Sequence, residues 1–408
     1  MSRKKVLILI VVCLFSTVMI MPFCKNCQIR SKNCGINILV STSLNVSDDL
    51  ADSIDQQIDG LEDNQFDEIL NNLGDKERSV FQNQSFWDKI QKIITGEETF
   101  NFGQIVNLLL SLVVDNISGI IPVLAIICAV SILASLLLQF RGKSLNKPLG
   151  DIIHFACFAI VVVIVLSAVY ELLTVTSSTL STLKKQMEIS FPIMLTLMAS
   201  VGAGSSVAIY QPLLAMFCGV IMQIFSNVLL PLFSICLIFN VVGNLTSSVK
   251  LSKLTKFLES SFKYIIGFTF TIFAGFMAVS GIVAGSFDGV SIRATKFAIK
   301  SYVPIMGGYL SDGFSLLMAS SILIKNAVGY SGLVVMLLTI LSPILKIVLF
   351  KLGLMLVSGI IESVADKRVT DFISKTAKSL DMLVSVILAF SFGYLVCMGL
   401  LMCSANAF

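Results

Sequence analysis

Charge is scarce in this chain. Charged residues make up 13% of its 408 positions and hydrophobic ones 56%, whereas ordinary soluble domains carry about 25% charged residues. Histidine is nearly missing, since His154 is the single one. There is no Walker A loop, no H-E-x-x-H helix and no glycine-rich dinucleotide loop after a strand. An intramembrane protease needs a nucleophile paired with a base, or two acids within apolar runs, and no such set is visible. These absences exclude the common catalytic classes, so we expect a non-enzyme that takes no cofactor. Basic residues are not interleaved with stacking aromatics, and no nucleic-acid partner is expected.

What the chain does contain is long apolar runs, and its mean hydropathy is +0.91. Crossing about 30 Å of hydrocarbon takes roughly 20 apolar residues in a helix. Runs of that kind fall at 117–140, 152–173, 213–242, 265–284, 333–350 and 382–402. Two weaker segments lie at 191–209, rich in small residues, and at 303–324, which contains Asp312. The fold class expected is all-α: a polytopic helical membrane protein with about six to eight spans after an N-terminal signal, plus a small polar helical segment. Residues 105–114 read as an interfacial helix broken at Asp115-Asn116, and Pro231 is expected to kink or divide the long run 213–242.

Three regions are expected. Residues 1–23 pair Arg3-Lys4-Lys5 with an apolar stretch, as a signal peptide or signal anchor does. Residues 24–103 form an acidic extracytoplasmic segment with helical repeats such as Leu50, Ile54, Ile58 and Leu61. Between Ser47 and Phe100 there are 14 acids and four bases, a net of −10, so the remainder of the +4 chain carries +14. Cys24 and Cys27 form a C-x-x-C with neither a second pair nor histidine partners, so ordinary thiols or one structural disulfide are the simpler readings. Residues 104–408 make the multi-span membrane domain with interfacial amphipathic helices.

Cationic loops mark the cytoplasmic side. Arg141, Lys143 and Lys147 follow the first span, and Lys250, Lys253, Lys256 and Lys263 form a second such group. Arg293, Lys296 and Lys300 come only one span later, so alternation places them outside unless a segment is re-entrant or the group is buried in an assembly. These three lie on one helical stripe bracketed by Asp288 and Asp312. Contact with lipid phosphates is the simplest reading of them; lining an aqueous path or docking an acidic partner is the alternative. With Lys325 and Lys346 they are the candidate pathway or assembly residues. Gly281, Gly285 and Gly289 are spaced four apart, as small residues are where two helices approach closely. They serve packing within the chain or contact in a homo-oligomer. Residues 251–262 and 366–381 each place apolar residues on one face and charges on the other, as membrane-lying helices do.

The segment Gly289-Val-Ser-Ile-Arg-Ala-Thr-Lys-Phe-Ala-Ile-Lys-Ser-Tyr-Val-Pro-Ile-Met-Gly-Gly-Tyr-Leu-Ser-Asp312 resembles the signature of the stage III sporulation protein AE family. The resemblance extends through Leu323-Ile-Lys-Asn-Ala-Val-Gly-Tyr-Ser-Gly332, Pro343-Ile-Leu-Lys346, Phe191-Pro-Ile-Met and Gln211-Pro-Leu-Leu. It implies an endospore-former's protein, made in the mother cell and seated in the membrane around the forespore. There it would belong to a transenvelope channel or secretion complex. The implied partners are other stage III sporulation operon proteins, among them a secretion-type ATPase and ring-forming subunits, together with membrane lipids. No catalytic residues follow from the family. A self-contained small-solute permease and a non-conducting membrane scaffold are the alternatives, and a permease would show inverted repeats with helices broken at mid-membrane.

Overall fold

The computed structural model describes residues 102–144, 147–245, 251–302, 307–363 and 367–404, with Arg78 alone before them. The side chains of 102–106, 134–154, 245, 282–296 and 298–312 lie outside that description. So do the expected signal and almost all of the acidic segment. The helices are α1 Phe102–Ser144, α2 Lys147–Ser200, α3 Gly204–Met216, α4 Leu230–Leu245, α5 Ser252–Tyr302, α6 Gly307–Ile361 and α7 Lys367–Cys403. Two π-helical turns, Phe217–Ile221 and Phe225–Leu229, join α3 to α4 through Met222–Ile224. Within hydrocarbon each backbone N–H and C=O must find its partner in its own segment, which is why these apolar runs are helices. Among the described residues six stretches are long and apolar enough to cross a membrane, counting α3 to α4 as one. The protein is an all-α polytopic membrane protein.

The helices are longer than the apolar runs suggest, and several expected boundaries disappear. Asp115-Asn116 does not break α1: Asn116 Nδ2 donates to Leu112 O at 2.8 Å, and the turn continues. The weak segment 303–324 is not a separate span, because its residues from Gly307 on are continuous with 333–350 in the 55-residue α6. The other weak segment, 191–209, is split between the end of α2 and the start of α3. Between them Gly202 adopts φ 86°, its N–H donates to Ala199 O and the Ala203 N–H to Met198 O. That bonding closes α2 in a Schellman turn, which needs a residue free to enter the left-handed region. Pro231 neither divides nor ends its run. Its ring cannot donate to the ladder and presses on the carbonyl four residues back, and the turn just upstream widens to π geometry instead.

The two segments read as membrane-lying helices are the opening turns of longer helices. Residues 367–381 are the first half of α7, and Val369, Phe372, Ile373 and Leu380 are buried in the bundle. Residues 252–262 open α5, where Phe262 is buried while Leu254 and Phe257 stay exposed. Lys375 reaches Asn244 Oδ1 at 3.0 Å, a partner on another helix.

α7 is the axis of the bundle, touching α2, α4, α5 and α6. It runs antiparallel to α4 and α6 and parallel to α2. Phe217, Phe273 and Phe390 stack with ring centroids 4.6 and 5.6 Å apart from Phe217, and Phe225 adds an edge contact to Phe390 at 5.6 Å. Gly393 lets the Phe217 ring lie against the α7 backbone, and a Cβ there would collide with that ring and come within 3.2 Å of Phe270. Gly399, two turns on, faces open space. Successive helices alternate direction, so the α1–α2, α4–α5 and α6–α7 connections share one end of the bundle. The α2–α3 and α5–α6 connections share the other.

Gly393→Ala is therefore expected to destabilise the bundle by about 1–3 kcal/mol, the usual cost of overpacking. Gly399→Ala is expected to be neutral or slightly stabilising, since alanine is the better helix former. Thermal unfolding of the two detergent-solubilised variants measures the difference.

Candidate functional site

The polar side chains that composition makes rare are gathered along α7. Close to its middle Lys351 of α6 pairs with Asp381, and Asn240 of α4 donates to Ser379 Oγ at 2.9 Å. In its C-terminal half Ser190 of α2 and Tyr394 share a hydrogen bond of 3.3 Å, and Phe191 sits edge-on to the Tyr394 ring. Beside them Gln186 Nε2 of α2 donates to Thr339 Oγ1 of α6 at 2.6 Å. At the C-terminal end the Lys325 ammonium donates to the Ser404 carbonyl. Ser404 Oγ donates to Tyr210 Oη of α3 at 3.0 Å, and Ser200 to Ser321 at 3.0 Å.

Lys325 is fully buried. A buried ammonium is tolerated only with a partner, and here the partner is a carbonyl past the end of α7, where the helix dipole favours a cation. Lys325 lies inside continuous α6 and ties three helices together. Lys346 lies nearer the surface, 2.6 Å from Glu171 of α2. Gly281 faces Tyr210 Oη of α3, and a Cβ there would make an ordinary contact at 3.5 Å. Gly285, Asp288, Arg293, Lys296 and Lys300 continue on α5 with Gly289, and Asp312 lies on α6. Their side chains are outside the described residues. The continuous α5 leaves no re-entrant break before Tyr302.

Sequence reasoning missed Gln186, Asn240, Asn244 and the Lys351–Asp381 pair. A signal for the first was present: polar residues crowd 174–188, yet helical spacing keeps Leu180, Leu183 and Met187 on one face, and all three are buried. Among the described residues no three His, Cys, Asp or Glu side chains come together as metal ligands would.

Among the described residues, six stretches long and apolar enough to cross a membrane, held by interhelical polar contacts, define a multi-pass helical membrane protein. Comparison with known proteins adds the family. The model of stage III sporulation protein AE matches residues 84–405, and the chain belongs to that family. It is 20% identical over 258 residues to the stage III sporulation protein AE of Bacillus subtilis (strain 168), covering 63% of this chain and 65% of that relative. The alignment thus spans just under two thirds of the relative's length. No solved structure matches the chain.

Lys351→Met is expected to lower stability by about 1.5–3 kcal/mol, because a hydrogen bond to a charged group is lost and the Asp381 carboxylate stays behind. Lys351→Met with Asp381→Leu should recover most of that loss, since replacing both partners by apolar groups of similar size is nearly neutral. Membrane abundance and thermal unfolding of the single and double variants check this.

Proposed function

We propose that the protein is an integral-membrane subunit of a transenvelope channel or secretion complex linking mother cell and forespore, and that it is required for spore development. The observation that carries this reading is the family match over residues 84–405. The subunit sits in the mother-cell membrane around the forespore and has no catalytic role. It works with other proteins of the stage III operon, including a secretion-type ATPase and ring-forming subunits. The positive-inside rule supports an orientation. Lys253, Lys256, Lys263, Lys367 and Arg368 all belong to the end of the bundle that also holds the α1–α2 connection, so that end faces the cytoplasm. Arg293, Lys296 and Lys300 on α5 then approach the opposite, intermembrane end, where ring-forming partners would stand.

A solitary permease is less well supported. A permease of that kind would carry inverted repeats, and no such repeat is visible in the sequence; the two π-helical turns between α3 and α4 leave that span continuous.

Two measurements test the proposal. Affinity purification of the tagged chain from sporulating cells is expected to recover the operon-encoded neighbours; recovery of the chain alone, with sporulation intact, overturns it. Replacing Arg293, Lys296 and Lys300 together by glutamine is expected to leave protein abundance near normal while mature spore yield falls at least tenfold. Collapse of abundance would make the stripe a folding or topology determinant instead.

A further inference from the structure

At one depth in the bundle the outward surface has two unlike faces. On α2 the exposed residues up to Tyr170 are mainly apolar, among them Phe155, Ile160 and Val163. From Glu171 to Glu188 every exposed residue is polar: Glu171, Thr174, Ser177, Ser178, Ser181 and Glu188. Glu171, Thr174, Ser178 and Ser181 recur at spacings of three and four, and Glu188 follows two turns on, so the set spans 18 residues and about 26 Å. The opposite face of the same helix remains packed through Thr176, Leu180, Leu183 and Met187.

The depth of this stripe follows from contacts to α7. Its upper end adjoins Ser190 and Phe191, which meet Tyr394. One turn away on α7, Phe390 meets Phe225, which meets Phe270 of α5. Around Phe270 the outward residues of α5 are large and apolar, Phe268 being 69% and Phe276 55% exposed. The lower end, Glu171, pairs with Lys346 of α6, five residues before Lys351 and its partner Asp381. That is the level of Ser379 and Asn240, where Ile235 and Ile238 of α4 point outward. Bare aromatic and aliphatic surface on α4 and α5 belongs in hydrocarbon, so the bilayer covers this layer. The α2 stripe is at the same depth, with α7 standing between α2 and α5.

Serine and threonine alone do not decide what the stripe faces. Thr174 donates back to Tyr170 O at 3.0 Å and Thr182 to Ser178 O at 3.1 Å, and hydroxyls bonded in this way are compatible with lipid. The charges decide it. Glu171, with a side chain 64% exposed, and the Lys184–Glu188 pair, 39% and 52% exposed at 3.3 Å, would each face hydrocarbon. Ion pairing offsets only part of the cost of desolvating such groups.

The geometry points to the α2 stripe from Glu171 to Glu188 being the wall of a water-filled passage at bilayer depth, with lipid confined to the α4 and α5 side. As the wall of a conduit it rests on the function proposed above; as a hydrated face it does not. The small hydroxyls leave room beside the helix, and the mixed charges favour hydrophilic solutes without selecting one sign.

Cysteine accessibility in the full-length chain, held in native membrane vesicles opened to reagent on both sides, tests this. Ser178→Cys and Ser181→Cys are compared with Phe268→Cys and Phe276→Cys using a sulfonated, membrane-impermeant maleimide. Modification is read peptide by peptide by mass spectrometry, so native cysteines do not interfere. The α2 sites are expected to react at least tenfold faster than the α5 sites. Equal, slow rates at all four would mean that lipid or protein covers the stripe, and would overturn the inference. Thr174→Cys provides a further α2 position should either serine variant fail to accumulate. Ser178→Trp, in a strain dependent on the variant, separates the two ideas. Fast labelling together with full sporulation of Ser178→Trp upholds the hydrated face and overturns the conduit role. Slow labelling together with co-purifying operon partners overturns the hydrated face and leaves the proposed function standing.

Discussion

A helix enclosed on most sides by other helices has to satisfy several neighbours at once, and α7 is in that position. Its 37 residues extend about 55 Å at 1.5 Å per residue, and α2, α4, α5 and α6 all touch it. Between helices in lipid the hydrophobic effect supplies no attraction, so close van der Waals contact and hydrogen bonds must hold them. α7 supplies both. Gly393 admits the Phe217 ring to its backbone, and Ser379, Asp381, Tyr394 and the Ser404 carbonyl meet polar groups of α4, α6, α2 and again α6.

Those polar contacts do more than add stability. An apolar interface tolerates sliding by a turn at modest cost, because one branched aliphatic resembles another. A buried amide or ammonium does not, because after a slip it would be left without a partner. Lys325 at the end of α7, Ser190 in its C-terminal half and Lys351 close to its middle therefore fix the axial register of α6 and α2 against it. The same logic bears on function. A subunit that must stand in a defined rotational setting toward its neighbours needs a bundle that cannot slip.

The bundle is about twice as long as the hydrocarbon layer is thick, and its outer surface is not uniform around the circumference. α4 and α5 present large apolar side chains, whereas the second half of α2 presents hydroxyls and paired charges. A monomer bathed in lipid has no use for that asymmetry. A subunit with one side toward lipid and another toward water does.

The class was legible in the sequence because it depends on sums. Scarce charge and six long apolar runs require spanning helices whatever the details, since hydrocarbon leaves the backbone no other choice. The family resemblance was legible because it rests on an ordered string of residues around Gly289–Asp312. Helix ends were not. Asp115-Asn116 reads locally as a break, yet it lies inside α1 because the Asn116 amide donates to the carbonyl one turn back. Nor could pairing be read from one dimension: Lys325 with Ser404 and Glu171 with Lys346 are separated by 79 and 175 residues. By itself the sequence determined that this chain enters a membrane as helices, a matter of transfer free energy counted residue by residue. Only the tertiary structure decided which rare polar groups face one another and which side of α2 is left polar, because those outcomes depend on how separate helices turn their faces to each other.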